Sequence, residues 1–129
     1  MSFGHIKIRP SDKLFRQYLL LLRGHKSTIT GVYYPEGKGL QVSHFWGRRH
    51  ENTRFSEENC DLLSIYEHQN FEENPAKYRD WKFKQLGEKE YKKLEISANT
   101  YCKRDDKMDC IVLKAKIKEL TTRPATSNG

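Results

Sequence analysis

LQVSHFWGRRHENTRFSEENCDLLSIYEHQNF, residues 40–71, opens on a short β-branched and aromatic run, crosses a polar segment and closes on a helix-forming stretch. Its first residues belong with those before them. From Gly31 the chain runs VYYPEGKGLQVSHF, where Pro35, Gly37 and Gly39 supply a turn between two short runs, a pattern that predicts a β-hairpin whose second strand ends near Phe45. The segment WGRRHENTRFSEEN has little apolar periodicity and predicts a loop outside the core, long enough to carry function. Beyond it, Leu62, Leu63 and Ile65 form an apolar anchor, and YEHQNFEE predicts a short helix that sets His68 and Glu72 four residues apart on one face.

The flanks read as helices. Ser11 and Asp12 precede Leu14, Phe15, Tyr18, Leu19, Leu21 and Leu22, a broad apolar helical face that stops at Gly24. Asn74-Pro75 reads as an N-cap followed by proline at the first helical position, with Tyr78, Trp81 and Leu86 as core candidates before the Gly87 stop. A further helix is predicted from Glu88 to Ala98, carrying Tyr91, Leu94 and Ile96. The last runs from Asp105 to Leu120, with Ile111, Leu113, Ile117 and Leu120 as its apolar positions. The expectation is an α+β domain over residues 1–120, a short hairpin among four or five helices, with a disordered polar tail at 121–129.

With 129 residues the chain suits one core. A net charge of +7, with 32% charged and 36% hydrophobic residues, makes a polyanion such as nucleic acid the first partner to consider; a merely solvated basic surface is the other reading. LLLL at 19–22 is far shorter than the ~20 residues a membrane span needs, and Arg16 and Arg23 flank it. The start MSFGHIKIRP lacks the pattern of a secretory signal, so a cytoplasmic protein is expected. Cys60, Cys102 and Cys110 are odd in number and form no CxxC pair, which predicts reduced thiols.

Phosphodiester hydrolysis needs an activated water, a metal to neutralise charge on the phosphate and leaving oxygen, and groups that hold the backbone. His44 at a strand end is the candidate base, Asn59 the residue that bonds across the loop to fix the imidazole, and His68 a nitrogen donor to a divalent metal. Taken alone, each histidine also reads as a surface or hydrogen-bonded side chain. Arg48, Arg49, His50 and Arg54 offer cationic contacts to phosphate oxygens, and Phe45 and Trp46 either stack on a base or cap the core. Lys82, Lys84, Lys89, Lys92 and Lys93 form a second basic region, read as a solvated helical face.

Together these residues resemble the HNH endonucleases of the phage and prophage branch. SHF stands for the first histidine, TRF…N for the middle and the stretch through NPAKYRDW for the end; the likeness runs from the PEG turn at 35–37 to Leu86-Gly87, about half the chain. The resemblance implies a ββα-metal (His-Me finger) fold that cleaves or nicks DNA with Mg²⁺ or Mn²⁺ in a bacterial or phage-infected cell, with His44 as general base, Asn59 as the orienting residue and His68 as metal ligand. Many relatives cut both strands as dimers, which makes a homodimer an option that no sequence feature here fixes.

Two departures stand out. Where many relatives carry Asp or His just before the base, this chain has Ser43, leaving Glu72 and the side-chain carbonyl of Asn59 as further oxygen donors. The four cysteines that hold structural zinc in relatives align with Ser27, Thr30, Ser64 and Glu67, a set that does not bind zinc, so none is expected. The leading expectation is therefore a metal-dependent DNA endonuclease or nickase. The alternative is an HNH-derived DNA-binding or assembly module of weak or no activity, and a basic helical protein that binds another protein is a third reading.

Overall fold

A computed structural model describes residues 6–122. Five helices surround a two-stranded antiparallel sheet, so the domain is α+β. Helix α1 (Pro10–Leu22) starts with proline in its first turn, and the Asp12 carboxylate accepts from the Arg9 amide at 2.8 Å, satisfying a free N–H at the helix start. It buries Phe15, Tyr18, Leu19 and Leu20. These pack with Leu40, Cys60, Leu62 and, from the last helix, Leu113 into the main core.

The strand pairing differs from the expected hairpin. Strand β1 (Leu40–His44) pairs not with the run before the PEG turn but with β2 (Cys60–Ser64), in a register that sets Leu40 opposite Ser64 and His44 opposite Cys60. Tyr33 makes only an isolated bridge to Lys26, and Val32 and Tyr33 are exposed. The reason is burial: Leu62 and Leu63 are wholly enclosed, whereas of the 31–34 run only Tyr34 packs against the core. The PEG turn instead presses on α1. A Cβ placed on Gly37, whose φ is +73°, would stand 2.7 Å from the Leu20 side chain, so glycine is required there.

Helix α2 (Ile65–Glu73) follows β2 without a break, and α3 (Pro75–Leu86), α4 (Glu88–Ala98) and α5 (Asp106–Thr122) complete the chain. Pro75 opens α3 and Gly87 with φ +84° separates α3 from α4, as the sequence predicts; Asn74 stands at the N-cap position but makes no side-chain cap bond, and Ser64, accepting from the Glu67 amide, is a cap of α2 not expected from the sequence. Thr121 and Thr122 continue α5, and residues 123–129 of the expected tail lie outside the described residues. Four expected core positions are exposed, Leu22, Ile65, Ile96 and Ile111, because the helical faces carrying them meet no partner. Cys60, Cys102 and Cys110 are free thiols. No helix among the described residues is long and apolar enough to cross a membrane.

Lys82 corrects the reading of a wholly solvated basic face. It is fully buried, its Nζ 2.8 Å from the Asp61 carboxylate and donating to the Glu58 carbonyl at 2.9 Å and to Gln85 Oε1 at 2.8 Å. Gln85 Nε2 donates to Asp61 at 3.1 Å, and the Tyr78 hydroxyl lies between Ser43 Oγ and Asp61. Tyr78, Lys82 and Gln85 recur at spacings of four and three, so one face of α3 clamps β2 through charge and hydrogen bonds. Lys82→Ala leaves a buried carboxylate without its cation and is expected to cost about 3–5 kcal/mol of unfolding free energy by urea denaturation. Asp61→Leu with Lys82→Met should recover most of that loss; strictly additive losses would show the two charges to be uncoupled.

Candidate functional site

β1 ends at His44, and its Nε2 donates to the Arg54 carbonyl at 2.9 Å. A carbonyl only accepts, so the ring nitrogen facing it carries the proton and the opposite nitrogen keeps its lone pair. Burial, aided by the nearby charge of Arg48, pushes the imidazole pKa from its usual 6.5 down to about 4. At neutral pH the ring is an uncharged proton acceptor of fixed orientation.

That orientation comes from the segment between the strands, which is not the detached loop its polarity suggests. Short 3₁₀ turns at Glu51–Thr53 and Glu57–Asn59 fold it back on the sheet, burying Thr53, Arg54 and Asn59. Asn59 Oδ1 accepts from the Trp46 amide at 2.8 Å, while its Nδ2 donates to the carbonyls of Trp46 at 2.9 Å and Thr53 at 3.1 Å. The carboxamide thus staples the two ends of the loop together. Fully enclosed and committed to the loop, it is not placed to serve as the metal ligand also expected of it.

His68 comes from α2 and lines the same groove as His44. Glu72 Oε2 lies 3.6 Å from its Nε2. Its other nitrogen, Nδ1, is buried without a hydrogen-bond partner, and among the described residues the other such side-chain atom is Nε of Arg48, which also lines the groove. An unpaired buried polar atom costs about 1–3 kcal/mol; Arg48 Nε has the Asp12 carboxylate 3.8 Å away, which leaves His68 Nδ1 as the candidate donor to a ligand.

The four cationic loop residues divide sharply. Arg54 is fully buried: its Nε and Nη2 grip the Asp12 carboxylate at 3.0 and 2.6 Å, and further bonds reach the carbonyls of Arg48 and Lys7. His50 Nδ1 donates to the Ala98 carbonyl at the end of α4 at 2.9 Å. Neither is placed to hold DNA, because each is occupied by the fold. Arg48, partly exposed and 3.8 Å from Asp12, and the exposed Arg49 are available. Lys13 and Arg16 of α1 join Arg48 along the groove; nothing in the sequence flags them, since helix spacing assigns α1 to the core but does not say which loop its polar edge meets.

The positions aligned with the zinc cysteines come together in space. Ser27 Oγ donates to the Glu67 carboxylate at 2.9 Å and accepts from the amides of Ile29 and Thr30, each at 3.2 Å. Glu67 also accepts from the Ser64 amide at 2.7 Å, and Ser64 Oγ accepts from the Glu67 amide in return. Thr30 contributes its backbone; its hydroxyl accepts from Val32. One carboxylate therefore ties the 27–30 turn to the first turn of α2. Ser43 is likewise engaged, its buried hydroxyl 3.0 Å from the Tyr78 hydroxyl.

A divalent cation fits this groove in a limited way. Among the described residues no three His, Cys, Asp or Glu side chains cluster closely enough to hold one by themselves. The donor on offer is His68 Nδ1, and hard cations such as Mg²⁺ commonly keep water and substrate phosphate as most of their ligands. No protein-family model, curated protein or solved structure compared with the chain matches it.

Two measurements test the local physics. In unfolded chains histidine titrates near 6.5, and in the fold His44 titrates near 4. The unfolded state thus takes up the extra proton between these values: the stability from the neutral ring is complete above about pH 6.5 and is lost as pH falls towards 4. Asp12, where burial is the largest single influence but is outweighed by the bonds from Arg54 and Arg9 and the charges of Arg54 and Arg48 together, and Glu51, held low by its bond with Arg9, lose their share as pH falls through and below the ordinary carboxylate range. Urea melts across the window should show a dependence on pH shallower by about one proton in His44→Gln. Separately, Glu67→Ala removes the tie to Ser27 and the helix cap together, for an expected loss of about 1–3 kcal/mol. Adding Ser64→Ala should cost less than its single effect if the three residues act as one network.

Proposed function

We propose that the protein is a metal-dependent DNA endonuclease or nickase of the HNH type, with β1, β2 and α2 serving as a ββα-metal core. The observation that carries the reading is the meeting of His44 and His68 in one groove, the first neutral and locked to a loop carbonyl, the second with a buried nitrogen left free. The chain order supports it: base at the end of the first strand, Asn59 stapling the loop, metal ligand on the helix after the second strand.

His44 accepts the proton of the attacking water through the nitrogen turned away from Arg54. His68 would hold Mg²⁺ or Mn²⁺ through Nδ1, the nitrogen without a partner, and the Glu72 carboxylate, 3.6 Å from the other ring nitrogen, would favour one orientation of the imidazole by its charge. Bound there, the cation supplies charge neutralisation at the phosphate and leaving oxygen. Lys13 and Arg48 line the side of the groove along which the phosphate backbone is held, with Arg49 exposed on the same loop; Arg16, whose guanidinium donates to the carbonyls of Gly37 and Leu40, adds only its charge.

A second reading, an HNH-derived DNA-binding module without turnover, draws on one observation: Ser43 and Asn59, the donors nearest the base, are both tied into the fold. Nicking of supercoiled plasmid with Mn²⁺ separates the two. On the nuclease reading, His44→Ala and His68→Ala each reduce the rate at least ~100-fold, in keeping with the loss of a general base or a metal ligand, while both variants still retard DNA. Equal nicking by wild type and both variants would sink the mechanism, and salt-sensitive retardation without metal-dependent nicking by wild type would establish the binding module.

A further inference from the structure

The groove continues past the two histidines in opposite characters. On one side three cations, Lys13, Arg16 and Arg48, outnumber the single carboxylate of Asp12; on the other it opens into a cavity of about 500 Å³ walled by Phe45, Trp46, Tyr78 and Tyr91, where Glu72 and Glu95 outnumber the single cation Arg79. His44 and His68 line both parts. Phe45 follows His44 directly and anchors the wall, its ring 5.0 Å from Tyr78, 5.9 Å from Tyr91 and 6.0 Å from Trp46, in tilted or edge-on contacts. Tyr78 is backed by Phe71, stacked on it at 4.2 Å. These contacts hold the wall in place before any ligand arrives, and Trp46 and Tyr91 remain partly exposed.

The geometry points to a subsite for an unpaired nucleobase beside the scissile phosphate, and so to a preference for single-stranded or locally unpaired DNA over intact duplex. This rests on the nuclease reading of the same groove. The volume lies in the range of small-ligand pockets, roughly 300–1,000 Å³. Aromatic walls offer stacking that is tolerant of base identity, and the carboxylates of Glu72 and Glu95 repel phosphate while accepting hydrogen bonds from exocyclic amino groups of the kind cytosine presents. The balance of charge, positive where Lys13, Arg16 and Arg48 face Asp12 and negative where Glu72 and Glu95 face Arg79, therefore orients the strand, phosphates to the first side and base to the aromatic side. In intact duplex the faces of a base are covered by its neighbours, and reaching a walled cavity requires unstacking; an unpaired nucleotide avoids most of that cost.

The test is metal-free binding by the intact protein to three oligonucleotides that contain the fluorescent base 2-aminopurine: fully paired, the same duplex with the probe base unpaired, and single-stranded. The unpaired and single-stranded forms are expected to bind on the order of tenfold more tightly than the paired one, with the probe quenched on binding. Tyr91→Ala should reduce that preference to about twofold and relieve the quenching, leaving duplex affinity and its salt dependence as they were. Tyr91→Leu, which keeps an apolar contact with Phe45 and Phe83, should give the same loss and so separate lost stacking from a damaged fold. Equal, salt-sensitive binding of all three DNAs by wild type, or a preference untouched in both variants, overturns the subsite while leaving the nuclease proposal standing. Absence of any salt-sensitive DNA binding overturns both.

Discussion

The buried guanidinium of Arg54 is the constraint on which the rest of the site depends. A cation removed from water costs several kcal/mol unless its partners are close and its donors used, and here Asp12 takes a two-point grip while the carbonyls of Lys7 and Arg48 take further N–H groups. Meeting that demand fixes three parts of the chain at once: the segment before α1, the first turn of α1 and the loop between the strands. It also fixes the backbone of Arg54 itself, whose carbonyl receives the His44 ring. The side chain binds nothing outside the protein, yet its burial sets the direction in which His44 can accept a proton. A polar loop thereby acquires the rigidity that functional loops usually borrow from their scaffold.

The same device appears twice more. Asp61 and Lys82 clamp α3 to β2, and Glu67 ties the 27–30 turn to α2. A two-stranded sheet is too small to be stable alone and needs elements packed on it. Apolar packing secures one side, where α1 and α5 meet Leu40 and Leu62. On the side of α2 and α3 the fixing groups are polar and buried, a choice that gives direction as well as cohesion because each bond specifies a partner atom. The arrangement leaves the groove between these two regimes, with apolar rings on one flank and cations on the other.

How much of this was legible in the sequence follows from the range of each signal. Helices α3 and α4 were legible because Pro75 and Gly87 mark their ends locally, and α2 from the helix-forming run YEHQNFEE, which leaves its Ser64 cap unmarked. The partner of β1 was not, since a turn signal at 35–37 favours the nearest run, whereas the actual pairing depends on the burial of Leu62 and Leu63 across the loop. His44, Asn59 and His68 could be picked out as residue types in order, and the fold brings the two histidines to one groove. The fates of Arg54 and Lys82 could not be read from charge, because the same side chain serves on a surface or inside according to whether a carboxylate meets it there. Asp12 and Asp61 are those carboxylates, and each lies far from its partner in sequence. Lys82 left a faint trace in its spacing with Tyr78 and Gln85; Arg54 left none.

The two histidines are prepared unequally, and that asymmetry bears on how the site works. His44 is finished by the fold: one nitrogen is bonded, burial keeps the ring neutral, and nothing need move for the other nitrogen to accept a proton. A depressed pKa makes the imidazole continuously available at neutral pH and, by the same shift, a weaker base, so it suits a water already made more acidic. His68 is left incomplete, with a buried nitrogen that has no partner and no second or third side chain closing around it. On the proposed nuclease reading, a site that supplies one nitrogen would draw its remaining ligands from water and substrate, so that cation and phosphate would arrive as interdependent partners. The base would then be constant and the occupancy of the His68 position the variable, which would place control of turnover in the bound backbone rather than in the resting protein.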